Sequence, residues 1–366
     1  MSCILVINPG SSSTKMGVVR DGEVVLDKNV VSKPGEFDGC AAFADQAPLR
    51  EKKILDALDE AGIALGDIDA ISGRGVGIQD CSGGTYLINE KAVEDASNDV
   101  AHIHHPAILG IVISAHLSKK LGVPAYFVNP MNTDELCAEA RVTGIKGLYK
   151  KARCHMLNMK QVAIHHCELN GWRYEDKNFI VAHMGGGISI NAHQRGRVID
   201  STRVGDGQGP ISPNRAGDVC EADVRELLSR GMTMDEIHDL VTGTGGLKSL
   251  VGTDDLKKVT GEMIPAGNKA AKLAYDAMEF SIRKWIATMA GSLCGDVDGI
   301  LLTGGLAFDK TLVKRLTDDC SWIAPVTAYP GSFETEALAA GVERVLSGRE
   351  QVKTYTGEPV FKGFDF

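Results

Sequence analysis

With 366 residues, 43% hydrophobic and 24% charged, the chain has the makeup of a soluble globular protein and length for two domains, each with a full core. A formal net charge of −9 excludes nucleic acid and anionic membranes as main partners, since both need basic patches, and no apolar run approaches the roughly 18 residues of a membrane span. Nine cysteines, odd in number, scattered and never in a CxxC pair, fit reduced thiols in a cytoplasm and exclude a disulfide framework or a zinc site.

The opening stretch "ILVINPGSSSTKMGVV" lacks the basic n-region and cleavage site of a signal peptide and belongs to the fold. Its pattern predicts a buried strand over 4–7, a turn over 8–12 and a second strand over 15–19. Asp21-Gly22 is a tight-turn signal, so a third strand completes a meander. A helix over 49–61 follows, then the strand "IDAISGRG", a helix over 105–121 and the strand "VPAYFVNP". Later, "NFIVAHMGGGISINAHQRGRVIDST" repeats the theme: strand, glycine turn, strand, tight turn at Arg195-Gly196, strand. Helices come next, then the strands "VDGILLTGG" and "WIAPVTAYP".

Such an internal duplication predicts two similar α/β domains, over 1–150 and 151–350, facing one another across a cleft, with residues 351–366 folding back onto the first. Hydroxyls and backbone N–H groups at the first turn suit an anion, with Lys15 as countercharge, and the glycine turn at Gly185 to Gly187 offers a second such site. Two phosphate-binding hairpins suit a nucleotide gripped from both sides. "TGGLAFD", between a strand and a helix, suggests where adenosine lies. "GTGGLKSL" is no Walker loop, because Leu247 stands where the glycine before the lysine is required. "HIHH" and the His165-His166 pair read as surface or packed histidines, lacking a matching set of metal ligands.

"VINPGSSSTK", "VAHMGGGISI", "GPISPNRAGD", "LLTGGLA" and "ETEALAAG", in this order across nearly the whole chain, resemble the butyrate kinase branch of the acetate kinase (short-chain acyl kinase) family. The resemblance implies the duplicated actin-like, ribonuclease H-like fold shared with sugar kinases and heat-shock ATPases. It also implies reversible, ATP- and magnesium-dependent phosphorylation of a short-chain carboxylate, butyrate first. Propionate, acetate or a branched-chain acid, or a catalytically silent nucleotide-binding protein, are the alternatives. Family members form homo-oligomers.

By the same resemblance, Arg74 and Arg215 bracket carboxylate and phosphoryl group, with Arg74 also binding substrate, and His183 donates to the phosphoryl oxygens. His104 lies near the acid. Asn8, Ser11, Ser13 and Lys15 touch the terminal phosphates or the magnesium shell. Gly185, Gly186, Gly187, Gly304 and Gly305 line the nucleotide site. Glu336, with Asn8, attends the metal. One position departs from the pattern: Asn129 stands where the family has an Asp, which implies a weaker hold on magnesium unless Asp134 substitutes.

Overall fold

Ile4, Leu5, Val6 and Ile7 are all at most 1% exposed, which is why an unbroken apolar run opens the chain: its strand is covered on both faces. The computed structural model describes residues 2–365 and divides them into two units. One holds the chain up to Asp134 together with Phe333–Asp365; the other is Glu135–Ser332.

In the first unit β1 (Cys3–Pro9), β2 (Ser13–Arg20) and β3 (Glu23–Val31) form the antiparallel meander. β4 (Ala70–Gly73) pairs parallel with β1, and β6 (Ala125–Val128) with β4. β5 (Thr85–Leu87) runs antiparallel to β6, and a short strand, Lys353–Thr354, closes this seven-stranded sheet. Leu5 and Ile7 share a core with Ile54 and Leu58 of the helix Ala47–Glu60 and with Ile111 of the helix Leu109–Leu121. Strand alternation turns Ile4 and Val6 to the opposite face, where the helix Glu334–Leu346 packs.

The second unit repeats the plan in five strands. β7 (Asn178–Met184), β8 (Ile188–Gln194) and β9 (Arg197–Ser201) form the meander, and β10 (Gly299–Gly304) and β11 (Val326–Pro330) add in parallel. Third, second, first, fourth is therefore the spatial order in both halves, continued by β6 in the first and β11 in the second, and each meander shifts register between its second and third strands, at Val18/Val19 in one and Ala192/His193 in the other. This is the duplicated α/β, actin-like and ribonuclease H-like fold expected.

The chain crosses between units at 134/135 and 332/333, whereas the sequence reading put those points at 150/151 and 350/351. The last long helix belongs to the first sheet because Leu338 and Val342 are fully buried and the Ser72 hydroxyl donates to the Leu338 carbonyl at 2.7 Å. Glu135 opens the second unit by accepting from Lys160 Nζ at 2.8 Å and from the Val198 amide at 2.9 Å. Among the described residues no helix is long and apolar enough to cross a membrane, and no disulfide joins the cysteines.

Candidate active site

The serine turn of the first unit is held from beneath. Gly10 N donates to Ser13 O at 2.7 Å to close it. Arg50, 1% exposed, then reaches up from the first helix: Nη1 donates to Ser13 O at 3.1 Å and Thr14 Oγ1 at 2.9 Å, and Nη2 to Ser11 O at 3.4 Å. Gln46 Oε1 accepts from its Nε and Nη2, and the guanidinium lies over Phe37. No described carboxylate pairs with it, so a buried positive charge underlies a turn of hydroxyls and amides, and burial pulls its pKa below the usual arginine range.

Above the turn lies a cavity of about 640 Å³. It is lined by the polar residues Asn8, Ser13, Lys15, Arg74 and Glu334 and by the apolar residues Val76, Ile103, Ala107 and Met131. Asn8 Nδ2 donates to Glu334 Oε2 at 2.8 Å, and Arg74 Nη1 meets Glu334 Oε1 at 3.3 Å. Lys15 pairs with Asp27 at 3.3 Å.

Three expected residues stand elsewhere. Glu336 is exposed, and Glu334, at the first position of the same helix, carries the carboxylate of the cavity. His104 is 80% exposed, turned outward by a positive φ of 52° with its amide bonded to Asp99. Its neighbour His105 lines the cavity in its place. His105 Nδ1 accepts from Ala107 N at 3.1 Å, so in the neutral ring Nε2 holds the hydrogen, 3.1 Å from Ser11 Oγ. Burial, and then the charge of Arg50, lower its pKa. Asn129 is buried and not part of the cavity lining; its Oδ1 accepts from Gly84 N at 2.8 Å, and its φ of 37° is one that Asn tolerates.

In the second unit the glycine turn and the Arg215 loop form one piece. Gly185 N donates to Gly187 O, and Gly186 O accepts from Ser212 Oγ at 2.6 Å and from Asn214 N at 3.3 Å. A Cβ on Gly187 would come within 2.7 Å of the Arg215 guanidinium carbon, so only glycine lets that side chain lie against the turn. Arg215 Nη1 donates to Val204 O at 2.6 Å, while its buried Nε has no partner among the described residues. The rejected Walker-like stretch buttresses this loop: Gly246, at a φ of +60°, packs its Cα on Ser212 O, and Leu247 N and Lys248 N donate to Ser212 O and Pro213 O.

His183, on β7, is edge-bonded and face-stacked. Its Nδ1 lies 2.8 Å from Asn158 Nδ2, and its ring stacks on His155 at 4.2 Å. His155 Nδ1 is in turn 2.9 Å from Ser189 Oγ. Gly304, with a φ of 90°, has its Cα against the Met184 backbone, which brings the start of the Gly305–Phe308 turn beside the end of β7. Arg50, His155, Asn158 and Glu334 are the residues that motif reading did not single out. Among the described residues no group of three or more His, Cys, Asp or Glu is placed to hold a metal ion.

Comparisons with known proteins identify the family and the fold. A profile of the acetokinase family matches residues 150–320. Over 353 residues, 96% of this chain and 99% of theirs, the sequence is 40% identical to the probable butyrate kinases of Clostridium botulinum strains Eklund 17B (Type B) and Alaska E43 (Type E3). The fold matches Porphyromonas gingivalis acetate kinase with a TM-score of 0.78 at 21% identity, covering 94% of this chain and 100% of that one. It matches a propionate kinase from Francisella tularensis with a TM-score of 0.73 at 19% identity, covering 93% and 99%. The chain belongs to the acetokinase family. Its class is phosphotransferase, with a short-chain carboxylate as acceptor.

Proposed function

We propose that the chain transfers the γ-phosphoryl group of ATP to butyrate, reversibly, giving butyryl phosphate and ADP. The observation that carries this is the cavity of the first unit, which Arg74 lines together with the apolar side chains of Val76, Ile103, Ala107 and Met131. A guanidinium matches a carboxylate, and apolar lining residues remove a short alkyl chain from water at about 0.8 kcal/mol per CH₂.

A short-chain acid is ionised at pH 7, so no general base is needed. A carboxylate oxygen bonds to the γ-phosphorus, the bond to the bridging oxygen breaks, and ADP takes that electron pair; no proton moves. What the protein supplies is position and countercharge. Arg74 orients the acid. The unpartnered Arg215 Nε and the His183 ring serve the phosphoryl oxygens, with Gly185 to Gly187, Gly304 and Gly305 allowing close approach of the nucleotide. Ser11 and Ser13, on the turn that Arg50 underpins, meet phosphate with Lys15.

The donor set beside the turn fits Mg²⁺, which takes one or two carboxylates and otherwise keeps phosphate oxygens and water. Glu334, with Asn8, would hold it, and when bound it neutralises phosphate charge. Glu336, being exposed, is not assigned that role. We further propose a cytoplasmic homo-oligomer, to be read by light scattering on the purified protein.

The test is acyl hydroxamate formation with ATP, Mg²⁺ and straight-chain acids from acetate to hexanoate. The reading expects the highest kcat/KM with butyrate. Preference for propionate or acetate would reassign the acid, and nucleotide binding without hydroxamate from any acid would make the chain a silent binder.

A further inference from the structure

We propose that Asn158 is a positioning residue that fixes which nitrogen of His183 carries the hydrogen. This rests on the role given to His183 above.

Asn158 sits in the first turn of the helix Met156–Leu169, is 1% exposed, and turns its amide nitrogen toward two atoms. Nδ2 is 2.8 Å from His183 Nδ1 and 3.2 Å from Thr303 Oγ1. Thr303 is fully buried, and its hydroxyl donates its one hydrogen to the Gly331 carbonyl at 3.2 Å. Toward Asn158 that oxygen is therefore an acceptor, and the group facing it is the NH₂. The same NH₂ faces His183, so Nδ1 of the ring accepts, and in the neutral imidazole the hydrogen stands on Nε2. An ideal Cβ at Gly185 would lie 3.8 Å from that Nε2, which places the donating edge of the ring beside the glycine turn. His155 holds the plane of the same ring by stacking at 19°. Thr303 and His183 are register partners on β10 and β7, so one sheet presents both acceptors to the helix above it. The relay Gly331, Thr303, Asn158, His183 thus ends in an N–H aimed where an anion is handled, and needs no charge on the imidazole.

Asn158→Asp tests this because it replaces the donor by an acceptor in nearly the same volume. The probe is the ¹⁵N spectrum of the His183 imidazole in the full chain, assigned by its loss in His183→Gln. In wild type at neutral pH the expected state is Nδ1 bare and Nε2 protonated. In Asn158→Asp a hydrogen should appear on Nδ1. Hydroxamate kinetics should show turnover falling tenfold or more while KM for ATP and for the acid stay within threefold. Thr303→Val, which removes only the hydroxyl, gives a second reading should Asn158→Asp fail to fold: Asn158 is released and a tautomer mixture is expected. A protonated Nδ1 in wild type, or an unchanged Nε2–H state in the variants, overturns the proposal. A switched tautomer with unchanged turnover keeps the assignment to Asn158 and overturns the part given to His183 in transfer.

Discussion

Replacing Arg50 with Met removes five hydrogen bonds from beneath the serine turn while roughly keeping the volume of the side chain. Two acceptors are then stranded, Gln46 Oε1 and Thr14 Oγ1, on residues 8% and 3% exposed. At about 1–3 kcal/mol for each buried orphan the cost is roughly 2–6 kcal/mol. Removing a buried guanidinium that has no carboxylate partner returns part of this, leaving about 2–4 kcal/mol. Ser13 O still takes Gly10 N, so the turn persists but opens more often. Hydrogen exchange of the amides of residues 10–14 should therefore quicken roughly 30-fold or more, and KM for ATP should rise more than kcat falls. His105 gives an independent reading: Arg50 is the second cause holding its pKa down, so the titration of its ring should move upward in the variant while burial keeps it below the ordinary value. Exchange within threefold of wild type, with an unmoved His105, would refute the reasoning, because it would mean the desolvation of Arg50 cancels all that its hydrogen bonds contribute.

Arg215→Ala should lower turnover by roughly two orders of magnitude or more, the scale of one lost charge-stabilising donor, and Arg74→Ala should raise KM for the acid more than Arg215→Ala does; near-normal kinetics in both would show that neither faces the reaction. Glu334→Gln should raise the magnesium concentration needed for half-maximal activity at least tenfold and Glu336→Gln less than twofold, read by metal titration; the reverse order would restore the carboxylate that the sequence favoured. Asn129→Asp keeps an acceptor for Gly84 N and should leave the magnesium titration within threefold, whereas Asn129→Ala, with a positive φ and a lost bond, should cost about 1–3 kcal/mol in denaturant unfolding. Burial first, then Lys160, lower the pKa of His193 to about 3, against roughly 6.5 in an unfolded chain. The unfolded state binds this proton first, so stability of the second unit should decline as pH falls from about 6.5 toward 3, by up to about 4 kcal/mol, and unfolding midpoints that stay flat from pH 7 to 4 would contradict it.

What motif spacing made legible was the repeated meander, because turns and alternation are local. Which of two neighbouring side chains faces the cavity was not. His104 and His105 are adjacent in one motif, and the choice falls to a single left-handed backbone at His104. Glu334 and Glu336 are two positions apart, about 200° around a helix, so the phase of the first turn decides between them. Asn129 occupies the motif position expected, yet its side chain is spent on the Gly84 backbone, a partner 45 residues away that no local pattern announces. Arg50 reads in "PLREKKIL" as one more charge on an amphipathic helix; only the neighbouring turn buries it. Asn158 and His155 reach His183 through the packing of a helix on the strands β7 and β10, which lie later in the chain.

The interleaving of the two units sets an order of events during synthesis. Glu135–Ser332 is one uninterrupted segment and has every strand of its sheet once Pro330 has left the ribosome. The N-terminal sheet, although made first, waits longest. Its helix Glu334–Leu346, the Glu350 carboxylate that accepts from Thr85 N at 2.7 Å, and the Tyr355 hydroxyl that donates to Asp95 at 2.7 Å all arrive after Ser332. Until then Ile4 and Val6 lack the cover they have in the finished fold, at 0% and 1% exposure. Vectorial folding, which ordinarily completes the N-terminal domain first, is reversed here. A chain stopped at Ser332 would hold a finished second unit tethered to an aggregation-prone, half-covered sheet, and the Asn8–Glu334 bond of the cavity can form only after the whole second unit has been made.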